Sequence, residues 1–299
     1  MRPRIGISGG LLTEETRFNG ERHRFITEAL GAHVDWVPYT VEVETGLGAL
    51  WESWRLTGQS HLAEHGYPGM SALSVPAGLD GYLTKAEPPG PFGIPAYTLA
   101  GPALFAQRLT AAFPLLPVVD DAMLDAAASR ALFVERVFAA ARLRELFGAR
   151  WRPPDLVAFH TRHKLQILAH DPDRYRKAGR VVAQTGSRPR AETEADYRRL
   201  FGEALASATT RGRNANAMQH AFGRISRRLD HSLRHRMLDQ IEAYQRGELP
   251  LGSPIVLLTS HAVNEGMRWT AEQTYLNPFP PDLRRHLWTL DASAPLAQA

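Results

Sequence analysis

Short apolar runs alternate with longer stretches of helical periodicity along the first half of the chain. The run Arg4-Ile-Gly-Ile-Ser8 is typical of a buried β-strand and ends in the pair Gly9-Gly10. Such alternation of strand and helix signals predicts an α/β domain with a Rossmann-like parallel sheet. The extended runs lie at 4–8, 33–38, 79–84 and 116–119, and the helical stretches at 22–30, 105–113 and 122–147.

The second half of the chain is helical in pattern nearly throughout. Met218, Phe222, Ile225 and Leu229 recur at spacings of four, three and four, which predicts one buried helix face. Asp171-Pro172 is a typical helix start, with an N-cap acceptor followed by Pro in the first turn. We therefore expect an all-α helical domain after the α/β domain.

The boundary between the two predicted domains lies in the segment 150–154. Pro153 and Pro154 cannot continue a preceding helix, because Pro lacks the backbone N–H and clashes with the previous turn. This predicts an α/β domain at residues 1–149 and a helical domain at residues 150–299.

Composition narrows the chemistry. The 299 residues contain no Cys, which excludes disulfides, thiolate nucleophiles and metal sites held by thiolates. Charge is divided unevenly: residues 1–150 carry 12 Arg and 1 Lys against 16 acidic residues, and residues 151–299 carry 20 Arg and 2 Lys against 15. The basic second half favours an anionic partner such as a phosphate backbone. The alternative explanation is a general preference of this sequence for Arg, with the positive charges spread over solvated faces.

No apolar run is long enough to cross a membrane, and the first residues lack the pattern of a signal peptide. The sequence therefore predicts a cytoplasmic protein with no membrane partner.

Candidate ligand-binding residues in the first half cluster at turns. The turn Ser8-Gly9-Gly10 follows the first strand and offers backbone N–H groups to an anion, although a plain tight turn has the same pattern. Arg22 lies in an Arg/His group that suits a carboxylate, phosphate or base edge, or simply begins a helix. Glu42 is a candidate general acid or base if it is buried, and a solvated loop acid if it is not.

Two stretches of the second half combine cations with hydrogen-bonding side chains. On a helix, such residues suit phosphate contacts and stacking on bases. The alternative is a polar helix face exposed to solvent, with one His hydrogen-bonded between helices. No carboxylate has the spacing of a zinc-binding helix, so no metal site is expected. The candidate RNA-binding residues are His160, Arg162, His163, Lys164, Arg213, Asn214, Asn216, His220, Arg224 and Arg227.

Motifs distributed over most of the chain carry a resemblance to a known family. They are Arg4-Ile-Gly-Ile-Ser8 with Leu11-Leu12, Arg17-Phe-Asn-Gly20, Trp36-Val-Pro38, Glu42-Val-Glu44 with Gly46-Leu-Gly48, Phe113-Pro-Leu-Leu-Pro117 with Phe133-Val-Glu-Arg136, Phe159-His-Thr-Arg-His-Lys164, Arg213-Asn214, Gln219-His220 and Tyr275-Leu-Asn-Pro278. In these stretches the chain resembles a bacterial arrangement in which an iron–sulfur thiouracil desulfidase is fused to a helical domain, in enzymes that convert 4-thiouridine in tRNA back to uridine. The resemblance implies a nucleobase-sized pocket in the α/β domain, with Glu42, Arg22 and Lys85 near its mouth, and a helical domain that binds tRNA.

The chain departs from that family where the family holds its cluster. Gly10, Thr40 and Pro91 stand where the resemblance places the cluster cysteines, and none of them replaces a thiolate. We therefore expect no 4Fe–4S cofactor and a tRNA-binding relative without desulfidase activity. Two alternatives stay open: an enzyme that acts on thiolated or modified nucleobases by cluster-independent hydrolysis, with Ser8, Gly9 and Gly10 holding phosphate, and a protein-interaction scaffold.

Overall fold

A computed structural model describes residues 1–8, 11–12, 20–39, 78–85, 106, 109–148 and 150–288, without the side chains of Tyr39 and Arg285. The chain forms two compact units, Arg2–Ser129 and Arg130–Ala299, the latter taken together with Met1. Domain limits at 1–149 and 150–299 stay a prediction, because a division by contacts does not test independent folding. Within these described ranges, no helix combines the length and the apolar character that crossing a membrane requires.

The first unit contains a parallel four-stranded sheet. Its strands are β1 (Arg4–Ser8), β2 (Asp35–Tyr39), β3 (Gly81–Thr84) and β4 (Val118–Asp120), in the order β2-β1-β3-β4. β1 pairs with both β2 and β3, so Ile5 lies between Trp36 and Gly81. β3 is buried along its whole length and β1 from Ile5 to Ser8, as expected for central strands of a parallel sheet with both faces covered.

A continuous helical segment, residues 20–33, precedes β2. It begins as α1 (Gly20–Arg24), continues as a π-helical stretch (Phe25–Leu30) and ends in a 3-10 turn (Gly31–His33). Phe25, Ile26 and Leu30 are its buried residues. A second 3-10 turn (Asp121–Asp125) follows β4, and the Asp120 carboxylate caps it by accepting the backbone N–H of Met123 at 2.9 Å.

Gly6 in the middle of β1 has no room for a side chain. A Cβ atom placed there meets the Tyr82 ring at 2.3 Å, and Tyr82 is fully buried. We expect Gly6→Ala to lower the free energy of unfolding of the first unit by about 1–3 kcal/mol, because the ring has to move within a packed core. Chemical denaturation measures this change. Gly20→Ala is the control, since no heavy atom lies within 4 Å of its new Cβ; equal losses in both variants would contradict the steric argument.

The second unit is helical in the described residues, as the pattern predicts. Pro153 is the first residue of the helix Pro153–His170. The Asp171 side chain caps the helix Pro172–Ala183 by accepting the backbone N–H groups of Asp173 and Arg174, both at 2.9 Å. The helices are α2 (Ala127–Gly148), which begins in the first unit, α3 (Pro153–His170), α4 (Pro172–Ala183), α5 (Arg190–Ala206), α6 (Arg211–Ile225), α7 (His231–Arg246), α8 (Gly252–Asn264), α9 (Arg268–Ala271) and α10 (Arg284–Leu287).

An aromatic core holds α3, α4 and α5 together. Phe159 packs edge-on against Tyr197 and Phe201, with ring centroids 6.1 and 5.4 Å apart. The predicted buried face of α6 is confirmed, because Met218, Phe222, Ile225 and Leu229 are all buried, although α6 itself ends at Ile225. A parallel sheet with helices, followed by a helical unit, is thus the architecture that the sequence predicts.

Candidate functional site

The residues predicted to bind a ligand in the first unit are dispersed or already engaged. Ser8 is buried at the end of β1, where its hydroxyl lies 3.5 Å from the Tyr82 hydroxyl and 3.4 Å from that of Thr84. Gly9, Gly10 and Glu42 lie outside the described residues, so the structure does not place them. Lys85 directly follows β3 and is half-buried.

Arg22 is held by two carboxylates instead of facing a ligand. Its Nη1 donates to Asp121 at 2.8 Å and its Nε to Asp125 at 2.8 Å. The hydrogen bonds that the guanidinium donates to Asp125 and Asp121 raise its pKa, against the opposing effect of burial. The prediction that Arg22 holds an anionic ligand is corrected to a structural role, in which it connects α1 to the 3-10 turn after β4.

Two of the histidines predicted to bind RNA lie in the interior of the second unit. His163 is 2% exposed, stacks on Phe159 with ring centroids 3.8 Å apart, and donates from Nδ1 to the Phe159 carbonyl at 2.8 Å. His160 is buried with its Nδ1 3.1 Å from the Tyr197 hydroxyl. Burial lowers the pKa of His160 to about 4 and that of His163 to about 3. Both are neutral core residues, which corrects their assignment to a surface.

Asn214 and Arg213 also have structural partners. The buried Asn214 amide donates to the Tyr244 hydroxyl at 3.0 Å, and its oxygen accepts from the Tyr275 hydroxyl at 3.1 Å. The Arg213 guanidinium donates to the last carbonyl of α3, that of His170, at 2.8 Å. A buried amide that is hydrogen-bonded inside the protein does not contact an external ligand. The prediction that Asn214 binds RNA is therefore corrected to a structural role as well.

The remaining predicted residues reach the surface. Arg162, His220, Arg224 and Arg227 are exposed, while Asn216 and Lys164 are partly buried. The structure brings Lys164 on α3 and Arg224 on α6 to the same aromatic ring. It does not bring all ten predicted residues onto one face.

That ring belongs to Trp269 on the short helix α9, which sequence reasoning missed. The Lys164 Nζ lies 4.8 Å from the centroid of the indole and the Arg224 Cζ lies 4.6 Å from it. Cations within about 6 Å of an aromatic centroid are attracted by the ring quadrupole. We call Lys164, Arg224 and Trp269 the cationic cluster.

Hydrogen bonds from the segment after α9 to α3 place Trp269 beside Lys164. The Gln273 amide donates to the Thr161 carbonyl at 3.0 Å and to the Trp269 carbonyl at 3.1 Å. The backbone N–H and the hydroxyl of Thr274 both donate to the Arg162 carbonyl at 2.9 Å. These bonds fix α9 against the middle of α3, one turn or less from Lys164.

The two positive charges of the cationic cluster have no negative counterpart among the described residues. Burial, and after it the charge of Arg224, lower the pKa of Lys164. Within the part of the chain that the structure describes, no carboxylate forms an ion pair with Lys164 or Arg224. Some other cations of this unit are paired, as Arg174 is with Asp171 and Glu203, and Arg268 with Glu272. Two like charges thus share one ring without a counter-charge from the described residues.

A metal centre finds no support in the described ranges, since no group of three or more His, Asp or Glu side chains there is arranged to hold an ion. The arrangement that remains as a candidate for ligand binding is the cationic cluster.

Comparison with known proteins shows that part of the second half is similar to proteins of unknown function. Residues 164–280 match a family described as "Protein of unknown function (DUF1722)". The "Uncharacterized protein YbgA" of Escherichia coli (strain K12) is 27% identical over 146 residues, which cover 48% of this chain and 86% of that protein. No solved structure matches the chain. All three residues of the cationic cluster lie within 164–280.

These matches overturn the resemblance to thiouracil and tRNA 4-thiouridine desulfidases. They lead to proteins of unknown function, and nothing in them links the chain to desulfidases. The interpretation of the chain as a tRNA-binding desulfidase relative without activity is therefore wrong. The expectations of no cofactor and of a cytoplasmic location stay predictions.

Proposed function

We propose that the helical unit binds a compact ligand bearing an oxyanion, a phosphate or a carboxylate, at the cationic cluster. The observation that carries this proposal is the pairing of Lys164 and Arg224 around Trp269 without a carboxylate partner among the described residues. Like charges held close together repel each other, and a bound anion converts that repulsion into attraction. A guanidinium offers a planar fork for such an oxyanion, and an ammonium adds a point charge beside it.

The surroundings of the cluster favour a compact ligand over an extended polyanion. Arg268 directly precedes Trp269, and its guanidinium donates to the Glu272 carboxylate at 2.6 Å. Glu272 compensates the charge of Arg268, so Arg268 does not extend the positive region around Lys164 and Arg224. Trp269 and Lys164 are both partly buried, which reduces solvent screening of the charges near the ring.

A titration with inorganic phosphate and pyrophosphate tests the proposed function. We expect the double variant Lys164→Gln, Arg224→Gln of the full chain to bind pyrophosphate at least about tenfold more weakly, since each charged hydrogen bond contributes about 1.5 kcal/mol or more. Isothermal calorimetry measures the affinity, and raising the salt concentration is expected to weaken it.

The matched control removes two exposed cations at another place on the same unit. Arg234 and Arg236 on α7 are exposed, so the variant Arg234→Gln, Arg236→Gln changes the net charge by the same amount. If both double variants lose the same affinity, binding depends on net charge alone and the proposed site is wrong. Absence of binding to the unaltered protein also contradicts the proposal.

For the first unit, we infer a doubly wound, Rossmann-like sheet. The order β2-β1-β3-β4 supports this, because parallel sheets of this class reverse their strand order beside the first strand. Ligands of such sheets bind beyond the carboxyl ends of the strands at the reversal, which here lies between β1 and β3. Ser8 and Thr84 are the last residues of these two strands. A nucleobase-sized ligand at this edge stays a prediction.

A further inference from the structure

Lysine is rare in this chain, and its position in the cationic cluster is therefore informative. The sequence contains 32 Arg but only three Lys, at positions 85, 164 and 177. Arginine supplies positive charge and hydrogen bonds at least as well as lysine does. What lysine adds is an amine that can lose its proton and become a nucleophile, whereas a guanidinium stays protonated.

The environment of Lys164 favours that free amine. The Arg224 guanidinium lies over the same Trp269 indole as the Lys164 Nζ, so the attraction of the ring for the ammonium ion is opposed by a second cation. Partial burial and the neighbouring cation both disfavour an ammonium ion, which lowers the pKa of Lys164. No carboxylate within the described residues pairs with Lys164 to restore the charge. An adjacent cation and a desolvated site are the two general means by which proteins activate a lysine.

We propose that Lys164 is a nucleophilic amine that forms an imine with a carbonyl-bearing oxyanion held by Arg224. This inference rests on the proposed function and specifies its ligand as an oxo acid or an aldehyde phosphate. The Nζ lone pair attacks the carbonyl carbon and a C–N bond forms. The carbonyl C–O bond then breaks, and the oxygen leaves as water with the two protons of the amine. No electron is gained or lost in this condensation.

The proximity of the two cations limits the ligand further. Lys164 Nζ and Arg224 Cζ lie 4.8 and 4.6 Å from one indole centroid. The two cations are therefore no more than roughly 10 Å apart, and the carbonyl and the oxyanion of the ligand have to lie within that span. A carbonyl next to a carboxylate meets this requirement, and glyoxylate is the smallest aldehyde that does.

Reductive trapping tests the inference directly. The full chain is incubated with glyoxylate and sodium cyanoborohydride, and peptide mass spectrometry follows the labelling of each lysine and of the Met1 amine. We expect Lys164 to react at least about tenfold faster than Lys177, because Arg224 holds the carboxylate of glyoxylate beside the Lys164 amine and such positioning raises the rate. The lowered pKa of Lys164, caused by burial and then by the charge of Arg224, acts in the same direction. Lys177 is exposed on α4 and serves as the internal reference.

Acetaldehyde, which lacks the carboxylate, is the control ligand, and Arg224→Gln is the control variant. The preference of Lys164 for glyoxylate over acetaldehyde is expected to disappear in Arg224→Gln, because no guanidinium then orients the carboxylate. Labelling of Lys164 no faster than that of Lys177 overturns the inference, as does an equal rate with both aldehydes in the unaltered protein.

Lys164→Arg separates this inference from the proposed function. The variant keeps the positive charge, so pyrophosphate affinity is expected to stay within about threefold, a change of less than 1 kcal/mol. Trapping at position 164 is lost because a guanidinium does not form the imine. Pyrophosphate binding without trapping in the unaltered protein rejects the amine chemistry alone, whereas no binding rejects the proposed function.

Discussion

Glu135→Ala is expected to lower the free energy of unfolding of the helical unit by about 3–5 kcal/mol, because it leaves a buried His170 without its counter-charge. The Glu135 carboxylate, on α2, lies 3.3 Å from the His170 Nε2 and accepts from the Gln166 amide at 2.7 Å. His170 is 1% exposed, and its Nδ1 donates to the Ser207 carbonyl at 2.6 Å. Urea denaturation monitored by circular dichroism measures the change.

Glu145→Ala is the matched control for this experiment. Glu145 lies on the same helix but is exposed, so its removal is expected to change stability by no more than about 0.5 kcal/mol. The double variant Glu135→Leu, His170→Leu is expected to recover most of the loss, since it removes both charges together. A Glu135→Ala variant as stable as Glu145→Ala would contradict the importance of the pair.

The same pair defines a pH window of stability. Burial opposes the charge of both groups, but their mutual attraction and hydrogen bonds prevail, so the pKa of Glu135 is lowered and that of His170 is raised. The Glu135 contribution is present above the pKa of an unfolded Glu and is lost as the pH falls through the folded value. The His170 contribution is present below the pKa of an unfolded His and is lost as the pH rises through the folded value. The pair is therefore expected to stabilise most between these limits.

Acidification from pH 7 to pH 5 is expected to destabilise the helical unit through His160 and His163. Burial lowers the pKa of these residues to about 4 and about 3, so both stay neutral in the folded state at pH 5. In the unfolded chain they take up protons below about pH 6.5. Stability is thus present above that pH and is lost as the pH falls, by about 2 kcal/mol for each residue between pH 7 and pH 5. Urea denaturation at the two pH values measures the loss.

His163→Phe isolates one of these two contributions. Phe keeps an aromatic ring for stacking on Phe159 but does not titrate, so we expect the acid-induced loss to shrink by about 2 kcal/mol. His231→Gln is the control, because His231 is exposed on α7. An unchanged pH dependence in His163→Phe, or the same change in His231→Gln, would show that His163 is not a buried neutral residue.

The desulfidase interpretation failed because short polar motifs do not report their surroundings. The segment Phe159-His-Thr-Arg-His-Lys164 suggested a polar helix face for RNA. In the folded unit, this single stretch of helix contains the core residues His160 and His163 next to the exposed Arg162 and the partly buried Lys164. Histidine and asparagine suit both a satisfied interior site and a binding surface, so their type alone does not distinguish the two.

The sequence by itself determined the local elements and their order. Apolar runs predicted the four strands, Pro153 and the Asp171 cap predicted helix starts, and the spacing of Met218, Phe222 and Ile225 predicted a buried face. These features depend on neighbours within a few residues, where backbone geometry, capping and helical periodicity are read directly from residue type.

Only the tertiary structure decided which distant residues meet. Trp269 reaches Lys164 because Gln273 and Thr274 donate to carbonyls of α3, and Glu135 reaches His170 because α2 packs beside α3. No local pattern encodes these encounters, since they follow from how whole helices pack around a shared core. The pKa changes of Lys164, His163 and His170 have the same origin, because burial and charged neighbours exist only once the chain has folded.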